Sequence, residues 1–243
     1  MSPISIPGKV TLVKDTVTYN FATIQSYGIV TDGLVLLLDA GTFASYPGTG
    51  TTWTDLSDNG NDGTLVNGVG YDSGNQGSLT FDGANDYVIL SNFDKAAYST
   101  TNFSLSLWFN ADSGSYKSLF QAADTLNSNL PWIALIGYVA GFRVYVNANY
   151  RIDVPYTQGA WNNFALTFDS AGSGLWTAYL NGSSVGSYTG PIGSLSASGT
   201  YLGQAYNNSY FDGKISNFAV HQKTLSSTEV TQNFNALKGR FGL

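Results

Sequence analysis

The sequence predicts an all-β protein in which two antiparallel sheets pack face to face, with one short helix near the C-terminus. Many short segments, such as residues 103–109, alternate apolar and polar side chains, and this period of two is typical of half-buried strands. Asn181-Gly182 lies between two such segments and is a strong signal for a tight hairpin. Only one segment, residues 226–239, has a helical pattern, so the strands must pack mainly on one another.

The predicted strands follow one another at short intervals. Residues 34–38 form a continuous apolar run, which predicts a strand that is buried on both faces. Residues 39–52 are predicted to form a loop, and residues 53–65 are dense in turn formers. The other predicted strands are 103–109, 118–121, 132–138, 142–146, 163–168, 175–180, 183–188, 199–202 and 214–220.

Residues 78–90 have the pattern of two strands joined by a polar turn. The turn contains Phe81-Asp82-Gly83, and the same tripeptide recurs at residues 211–213, where it again precedes an apolar strand. Two such corners far apart in sequence predict that an early and a late strand are neighbours in one sheet. The aspartates have two interpretations, because Asp-Gly pairs favour tight turns and their carboxylates can also bind a metal.

The C-terminal helix has a clear start signal. Ser226 and Glu229 form a capping box, in which each side chain bonds to the backbone of the other residue. Apolar residues follow at helical spacing, at Val230, Phe234 and Leu237. Gly239 is the predicted C-terminal cap.

The composition excludes several classes of function. The net charge of −6 and the scattered basic residues argue against nucleic acid as a partner. There is no cysteine for a disulfide, and no apolar run of about 20 residues for a membrane span. Charged residues are 11% of the chain, against about 25% in ordinary soluble domains. Such a neutral polar surface suits proteins that work outside cells, including virion parts.

The N-terminal residues differ from the rest of the chain. We predict that residues 1–32 form an arm or attachment segment and that residues 33–243 form the main domain; an additional edge strand is the alternative for the N-terminal part. No signal peptide is visible at the N-terminus. A phage protein that assembles in the host cytoplasm would explain this combination, and so would an export signal removed from the sequence.

Several motifs in order resemble the laminin-G-like jelly rolls of the concanavalin A-like lectin/glucanase superfamily. They are W-T-D-L-S-D-N-G-N-D-G, L-T-F-D-G-A-N-D-Y-V, F-S-L-S-L-W-F, W-N-N-F-A-L-T-F-D, A-Y-L-N-G and F-D-G-K-I-S-N-F-A-V-H-Q-K-T-L-S-S-T-E-V. The resemblance covers residues 33–238 and implies a two-sheet jelly roll in which the strand after Phe211 pairs beside the strand at Ser78. It also implies that Trp108 and Trp161 occupy core positions. Domains of this kind are similar to virion proteins of marine bacteriophages.

Catalytic chemistry is not expected, and no catalytic residue is predicted. The laminarinase-like enzymes of this superfamily need two carboxylates across one sugar bond, usually two glutamates on one strand. This chain has one glutamate, Glu229, which the helix cap already uses. The single histidine, His221, has no acidic residue nearby in sequence and is expected to be a polar surface residue.

Two sets of residues are candidates for binding. Calcium is the metal that oxygen ligands favour, and the predicted ligands are Asp82, Asp212, Asn85 and Asp86, with turn formation as the alternative. The candidate glycan or protein-interface contacts are Gln204, Tyr206, Asn207, Tyr210, Trp132 and Trp176. Tyr138 and Tyr145 are aromatic residues whose position, core or surface, the sequence leaves open.

These observations favour a non-catalytic structural virion protein, such as a capsid decoration, fibre or appendage subunit. It would contact other virion proteins through the N-terminal arm and form a symmetric oligomer, for which we predict a trimer. The alternative is a carbohydrate-binding module that recognises host surface glycans. The corresponding locations are the virion, after assembly in the host cytoplasm, or the extracellular space.

Overall fold

The computed structural model describes residues 28–91, 102–112, 117–123, 133–138, 141–192, 199–205 and 208–243. These residues form two antiparallel eight-stranded sheets, one two-stranded sheet and one short helix, α1, at Ser227–Leu237. The predicted sandwich is therefore confirmed. No helix among the described residues is long and apolar enough to cross a membrane.

Eighteen strands account for the architecture. In chain order they are β1 Leu34–Asp39, β2 Thr52–Trp53, β3 Gly63–Val66, β4 Gly70–Asp72, β5 Ser78–Asp82, β6 Tyr87–Leu90, β7 Phe103–Ala111, β8 Ser118–Ala123, β9 Ile133–Tyr138, β10 Gly141–Val146, β11 Asn149–Val154, β12 Trp161–Asp169, β13 Leu175–Leu180, β14 Ser183–Thr189, β15 Gly199–Leu202, β16 Gln204–Ala205, β17 Ser209–Tyr210 and β18 Asp212–His221. Sheet A has the order β14-β13-β12-β7-β18-β5-β4, and β1 also pairs with β18. Sheet B has the order β11-β10-β9-β8-β15-β6-β3-β2.

The predicted pairing of the two Phe-Asp-Gly segments is confirmed. β18 pairs with β7 along one side, and on its other side it pairs first with β5 and then with β1. Asp212 lies directly opposite Asp82 in this register. β5 belongs to sheet A and β6 to sheet B, so residues 83–86 form a corner between the sheets and not a hairpin.

The core lies between the two sheets and is rich in aromatic side chains. Its largest fully buried side chains are Trp53, Trp176, Phe103, Phe109, Phe120, Phe142, Phe164 and Phe168. The Trp176 indole packs on Phe103 and Phe168, with ring centroids 5.6 and 4.5 Å away, and its Nε1 donates to the Gly190 carbonyl at 3.1 Å. This polar contact allows an indole N–H to be buried without the cost of an unpaired donor.

A second aromatic cluster closes the outer face of sheet A. The Phe241 ring lies between Trp108 and Trp161, with centroids 4.2 and 4.6 Å away, and Phe234 of α1 stacks on Trp108 at 5.5 Å. Trp108 and Trp161 are thus buried as predicted, but beneath the C-terminal segment and not between the sheets. Beside this cluster, Arg240 donates to both carboxylate oxygens of buried Asp39, at 3.0 and 2.8 Å.

The helix begins as predicted and ends differently. Ser226 and Glu229 form the capping box, and Lys223 donates a hydrogen bond to Glu229 that holds the pKa of this carboxyl below its usual value. The helix ends at Leu237 and continues as a 3-10 turn over Lys238–Phe241, so Gly239 is not the cap. Gly242 takes the left-handed conformation instead, with φ 74°.

Hydrogen bonds of Val30 join the segment before β1, residues 28–33, to sheet A and α1. Val30 donates its N–H to Asn233 Oδ1 at 2.8 Å, and its carbonyl accepts from His221 Nε2 at 2.9 Å. His221 is only 1% exposed, so the prediction that it is a polar surface residue was wrong. The segment covers the end of β18, and this contact joins residues 191 positions apart. The predicted N-terminal arm lies, over residues 1–27, outside the described residues.

Candidate carbohydrate-binding face

The predicted calcium ligands lie at the F-D-G corner, which we define as residues 82–86 together with Asp212. The backbone uses two of its carboxylates: Asp82 Oδ1 accepts from the Ala84 N–H at 2.8 Å, and Asp86 Oδ2 accepts from the Asp82 N–H at 3.2 Å. Asn85 is exposed, and its carbonyl accepts from the side chain of Asn67 at 2.9 Å. The corner is therefore held by turn hydrogen bonds, which is the alternative interpretation of these residues.

Calcium binding at this corner stays a prediction. Calcium takes six to eight oxygen ligands, whereas the described part of the chain contains no group of three or more acidic, histidine or cysteine side chains close enough to hold a metal. Lys117 also enters the corner, where its ammonium group donates to the Gly83 carbonyl at 2.9 Å. One atom is consistent with a ligand: Asp86 Oδ1 is buried and has no hydrogen-bond partner among the described residues. Burial raises the pKa of this carboxyl.

Asp82 and Asp212, which lie opposite each other, raise the question of a catalytic carboxylate pair. Side chains directly opposite in an antiparallel pair have Cβ atoms about 5 Å apart, and two carboxyl groups at about this separation can form a retaining glycosidase site. The Asp82 carboxylate is exposed to solvent and bonded into its own turn, where it accepts from the Ala84 N–H.

The predicted glycan contacts do not form one surface. Trp176 is completely buried in the core, so the prediction that it contacts a ligand is corrected by its packing. Gln204 is also buried, with its Nε2 donating to the Ala205 carbonyl at 2.7 Å, and cannot reach a surface ligand as placed. Tyr210 is half-buried on β17. Trp132, Tyr206 and Asn207 lie outside the described residues.

The outer face of sheet B carries a different set of polar and aromatic side chains. Inward-facing residues alternate along its strands, so the residues between them point outward. One outward row crosses six neighbouring strands in register, over about 24 Å at the usual strand spacing. The row consists of Tyr145, Ala134, Gln121, Tyr201, Ile89 and Thr64.

The end of this face at β9 to β11 is open to solvent, and Thr64 at the opposite end of the row is also exposed. The middle of the row is buried, with Gln121, Ala134 and Tyr201 exposed by 0%, 1% and 6%. On β9 to β11 the outward side chains other than Ala134 are partly or largely exposed instead. This open end, which we call the β9–β11 patch, consists of Ile136, Tyr138, Arg143, Tyr145 and Asp153.

An ion pair lies across the centre of the β9–β11 patch. Arg143 and Asp153 are cross-strand neighbours, and Arg143 Nε donates to Asp153 Oδ1 at 3.1 Å. The Arg143 guanidinium also covers the Tyr138 ring, with its Cζ 3.3 Å from the ring centroid. Stacking and pairing fix the orientation of these groups, so the patch presents aromatic surface beside a charged donor and a charged acceptor.

A pocket of about 250 Å³ opens next to this patch. It is lined by Tyr138, Gly141, Phe142, Asp153, Val154 and Pro155. The walls are mainly apolar and the carboxylate lies among the lining residues, a combination common in sites for small polar ligands. The end of β9, the start of β10 and the end of β11 therefore contribute to both the patch and the pocket.

Comparison with known proteins identifies the family. The family model described as concanavalin A-like lectin/glucanases superfamily matches residues 81–231, which is more than half of the chain. The chain belongs to this superfamily. Comparison with curated protein sequences found no match.

Solved structures share the fold at low sequence identity. The Trypanosoma rangeli sialidase in complex with the inhibitor DANA aligns with a TM-score of 0.66 at 15% identity, over 85% of this chain and 33% of the sialidase. A botulinum neurotoxin serotype D binding domain aligns at 0.65 and 14%, over 85% of this chain and 52% of that domain. Domain 4 of AbnA, a GH43 extracellular arabinanase from Geobacillus stearothermophilus in complex with arabinotriose, aligns at 0.62 and 18%, over 84% and 98%. The chain thus spans only part of the first two proteins and nearly all of the third.

The sequence did contain a signal for the β9–β11 patch. Tyr138, Arg143 and Tyr145 each alternate with residues that the structure places in the core, so a strict period-two assignment would have turned them outward together. Asp153 was missed because β11 was not predicted as a strand. The turn before β11 uses Asn147 and Ala148, with φ 50° and 58°, and Ala148 is not a residue that signals such a turn.

Proposed function

We propose that this domain is a carbohydrate-binding module that binds glycans at the β9–β11 patch. The observation that carries the proposal is the side-chain set of the patch: two tyrosines, an arginine and an aspartate lie on one open end of sheet B. Sugar hydroxyl groups donate and accept hydrogen bonds, while the C–H faces of sugar rings pack on aromatic rings. Tyrosine, arginine and aspartate supply the matching surface, donor and acceptor.

The nearby structures support a binding role. Domain 4 of AbnA was solved with arabinotriose, and the neurotoxin structure is described as a binding domain. Catalysis is not part of our proposal, since the one glutamate is used by the helix cap and by Lys223, and Asp82 is bonded into its turn. The sialidase among the nearby structures is an enzyme that is about three times the aligned length, so its activity is not carried over.

A glycan array with two variants tests this proposal. Replacing Tyr145 by Ala removes an aromatic surface from the patch and should weaken binding at least tenfold, because one aromatic anchor contributes about 1.4 kcal/mol or more. Phe43→Ala is the matched control, since Phe43 is an aromatic residue that is 68% exposed elsewhere on the chain. If the wild type binds no glycan, or if both variants bind like the wild type, the proposal is wrong.

A structural role on a bacteriophage virion is our second proposal, and it is compatible with the first. It is supported by the low share of charged residues, 11%, and by the resemblance to phage virion domains. In it, residues 1–32 attach the domain to other virion proteins and the subunits assemble as a trimer. Deletion of residues 1–27 should abolish incorporation into particles while the domain keeps its melting temperature. Normal incorporation of the truncated chain would contradict the attachment role.

A further inference from the structure

The pocket that Tyr138 lines is small. Its volume of about 250 Å³ lies below the range of about 300–1,000 Å³ that is usual for drug-sized ligands. One sugar ring is a smaller ligand than these, whereas a chain of rings is larger. The pocket therefore has room for a single ring, and further units of a glycan would extend outward over the β9–β11 patch.

Closely spaced backbone forms one side of the pocket, at Gly141. A Cβ atom on Gly141 would lie 2.5 Å from the Val154 carbonyl oxygen and 3.2 Å from the Pro155 Cα, so the two strands approach too closely there for a side chain. A ligand cannot continue between β10 and β11 at this point. Because a chain of rings has no passage on this side, the pocket suits the end of a glycan chain and not its middle.

The charged side chains of Arg143 and Asp153 favour neutral over acidic sugars. Arg143 and Asp153 form an ion pair at 3.1 Å, and the Asp153 side chain is 60% exposed beside the pocket. This pair offers both a donor and an acceptor and adds no net charge, which matches hydroxyl groups. A carboxylate-bearing sugar would meet the exposed Asp153 carboxylate, on a chain whose net charge is −6.

We infer that the pocket binds one neutral sugar unit at the end of a glycan chain, with Asp153 accepting and Arg143 donating hydrogen bonds to its hydroxyl groups. This inference rests on the proposed function, because it names the sugar class and the binding mode at the same site. It adds two properties that the proposed function does not require. Acidic end groups are rejected, and one free monosaccharide is sufficient to compete.

The test uses the full chain on an array that carries neutral and sialylated glycans. We expect the glycans bound by the wild type to share a neutral terminal unit, and the free monosaccharide of that unit to displace them. Asp153→Asn should weaken binding about tenfold, because a hydrogen bond to a charged acceptor becomes one to a neutral amide. Asp72→Asn is the control, since Asp72 forms a comparable ion pair with Lys214 on sheet A. Melting temperatures of both variants show that they are folded.

The outcomes separate this inference from the proposed function. If the wild type binds glycans but Asp153→Asn and Arg143→Gln bind as tightly, the pocket is not the site of the end unit and the inference is overturned. Preference for sialylated glycans, or competition only by oligosaccharides, also overturns it, while carbohydrate binding itself stands. If the wild type binds no glycan on the array, both the proposed function and the inference are wrong.

Discussion

The outer faces of the two sheets differ in how far the rest of the chain covers them. On sheet A the face is closed: α1 and the 3-10 turn bury Trp108, Trp161 and Phe241 against it, and the segment before β1 covers His221. On sheet B the end formed by β9 to β11 is open and carries tyrosines and an exposed ion pair. Both faces carry aromatic residues, so aromatic content alone does not distinguish a covered surface from an open one.

The difference lies in what accompanies the aromatic rings. On sheet A their polar neighbours are buried and paired within the chain, as in the contact of Arg240 with Asp39 and Ser216. On sheet B the charged pair Arg143 and Asp153 reaches solvent. We therefore expect substitutions on the closed face to change stability, and substitutions in the β9–β11 patch to change binding while stability stays the same.

The largest effect on stability is expected from Arg240. Both side chains of the Arg240–Asp39 pair are less than 10% exposed, so Arg240→Leu leaves a buried carboxylate without its cation. Breaking a buried ion pair by removing one partner costs about 3–5 kcal/mol of unfolding free energy. Urea unfolding followed by tryptophan fluorescence measures this loss, and Arg143→Leu in the exposed pair should change stability by less than about 1 kcal/mol.

The double variant with Asp39→Asn and Arg240→Leu sharpens this comparison. Removing both charges should recover part of the stability that the single Arg240 variant loses, because no uncompensated charge stays buried. A double variant that is no more stable than Arg240→Leu would show that packing of the arginine, and not its charge, stabilises the C-terminal segment.

A smaller, pH-dependent effect is expected from His221. The Val30 carbonyl can only accept, so Nε2 carries the proton, and Nδ1 is buried without a partner among the described residues. Burial lowers the pKa of His221 below its ordinary value of 6.5. The hydrogen bond to Val30 and the charges of Glu229 and Asp32 oppose this shift, and Lys223 adds to it. The unfolded chain therefore binds more protons than the folded chain once the pH falls below about 6.5.

This contribution of His221 is complete above pH 6.5 and is lost as the pH falls from there towards the folded-state pKa. Within that window the unfolding free energy should decrease by up to about 1.4 kcal/mol per pH unit. Urea unfolding between pH 7.5 and about 5, above the range in which most carboxylates titrate, measures the slope. His221→Gln keeps a donor for Val30 and should flatten it; an equal slope in the variant would exclude His221 as the cause.

Sequence reasoning predicted most strands but not which side chains the fold buries. The bounds of β13 and β15 were predicted correctly, because the alternation of side chains and the flanking turn residues determine strand ends locally. Trp176 lies in a strand that has apolar residues on both of its faces, so the local pattern does not show which face is buried. Packing buries Trp176 and leaves its neighbour Leu175 44% exposed. His221 is buried by a segment 191 residues away, which no local pattern encodes.

The smallest effect is expected at the F-D-G corner, which belongs to neither outer face. Its carboxylates close turns, and Lys117 already brings a cation to the Gly83 carbonyl, so calcium should add little. We expect calcium to shift the melting temperature of chelator-treated protein by less than about 1 °C. If calcium did bind, a concentration of 100 times its Kd would stabilise the fold by about 2.7 kcal/mol and raise the melting temperature by several degrees. Calorimetric titration of the wild type and Asp82→Ala should likewise show no binding heat. A clear shift that Asp82→Ala removes would instead mean that the unpaired Asp86 Oδ1 is a calcium ligand and that the corner is a metal site.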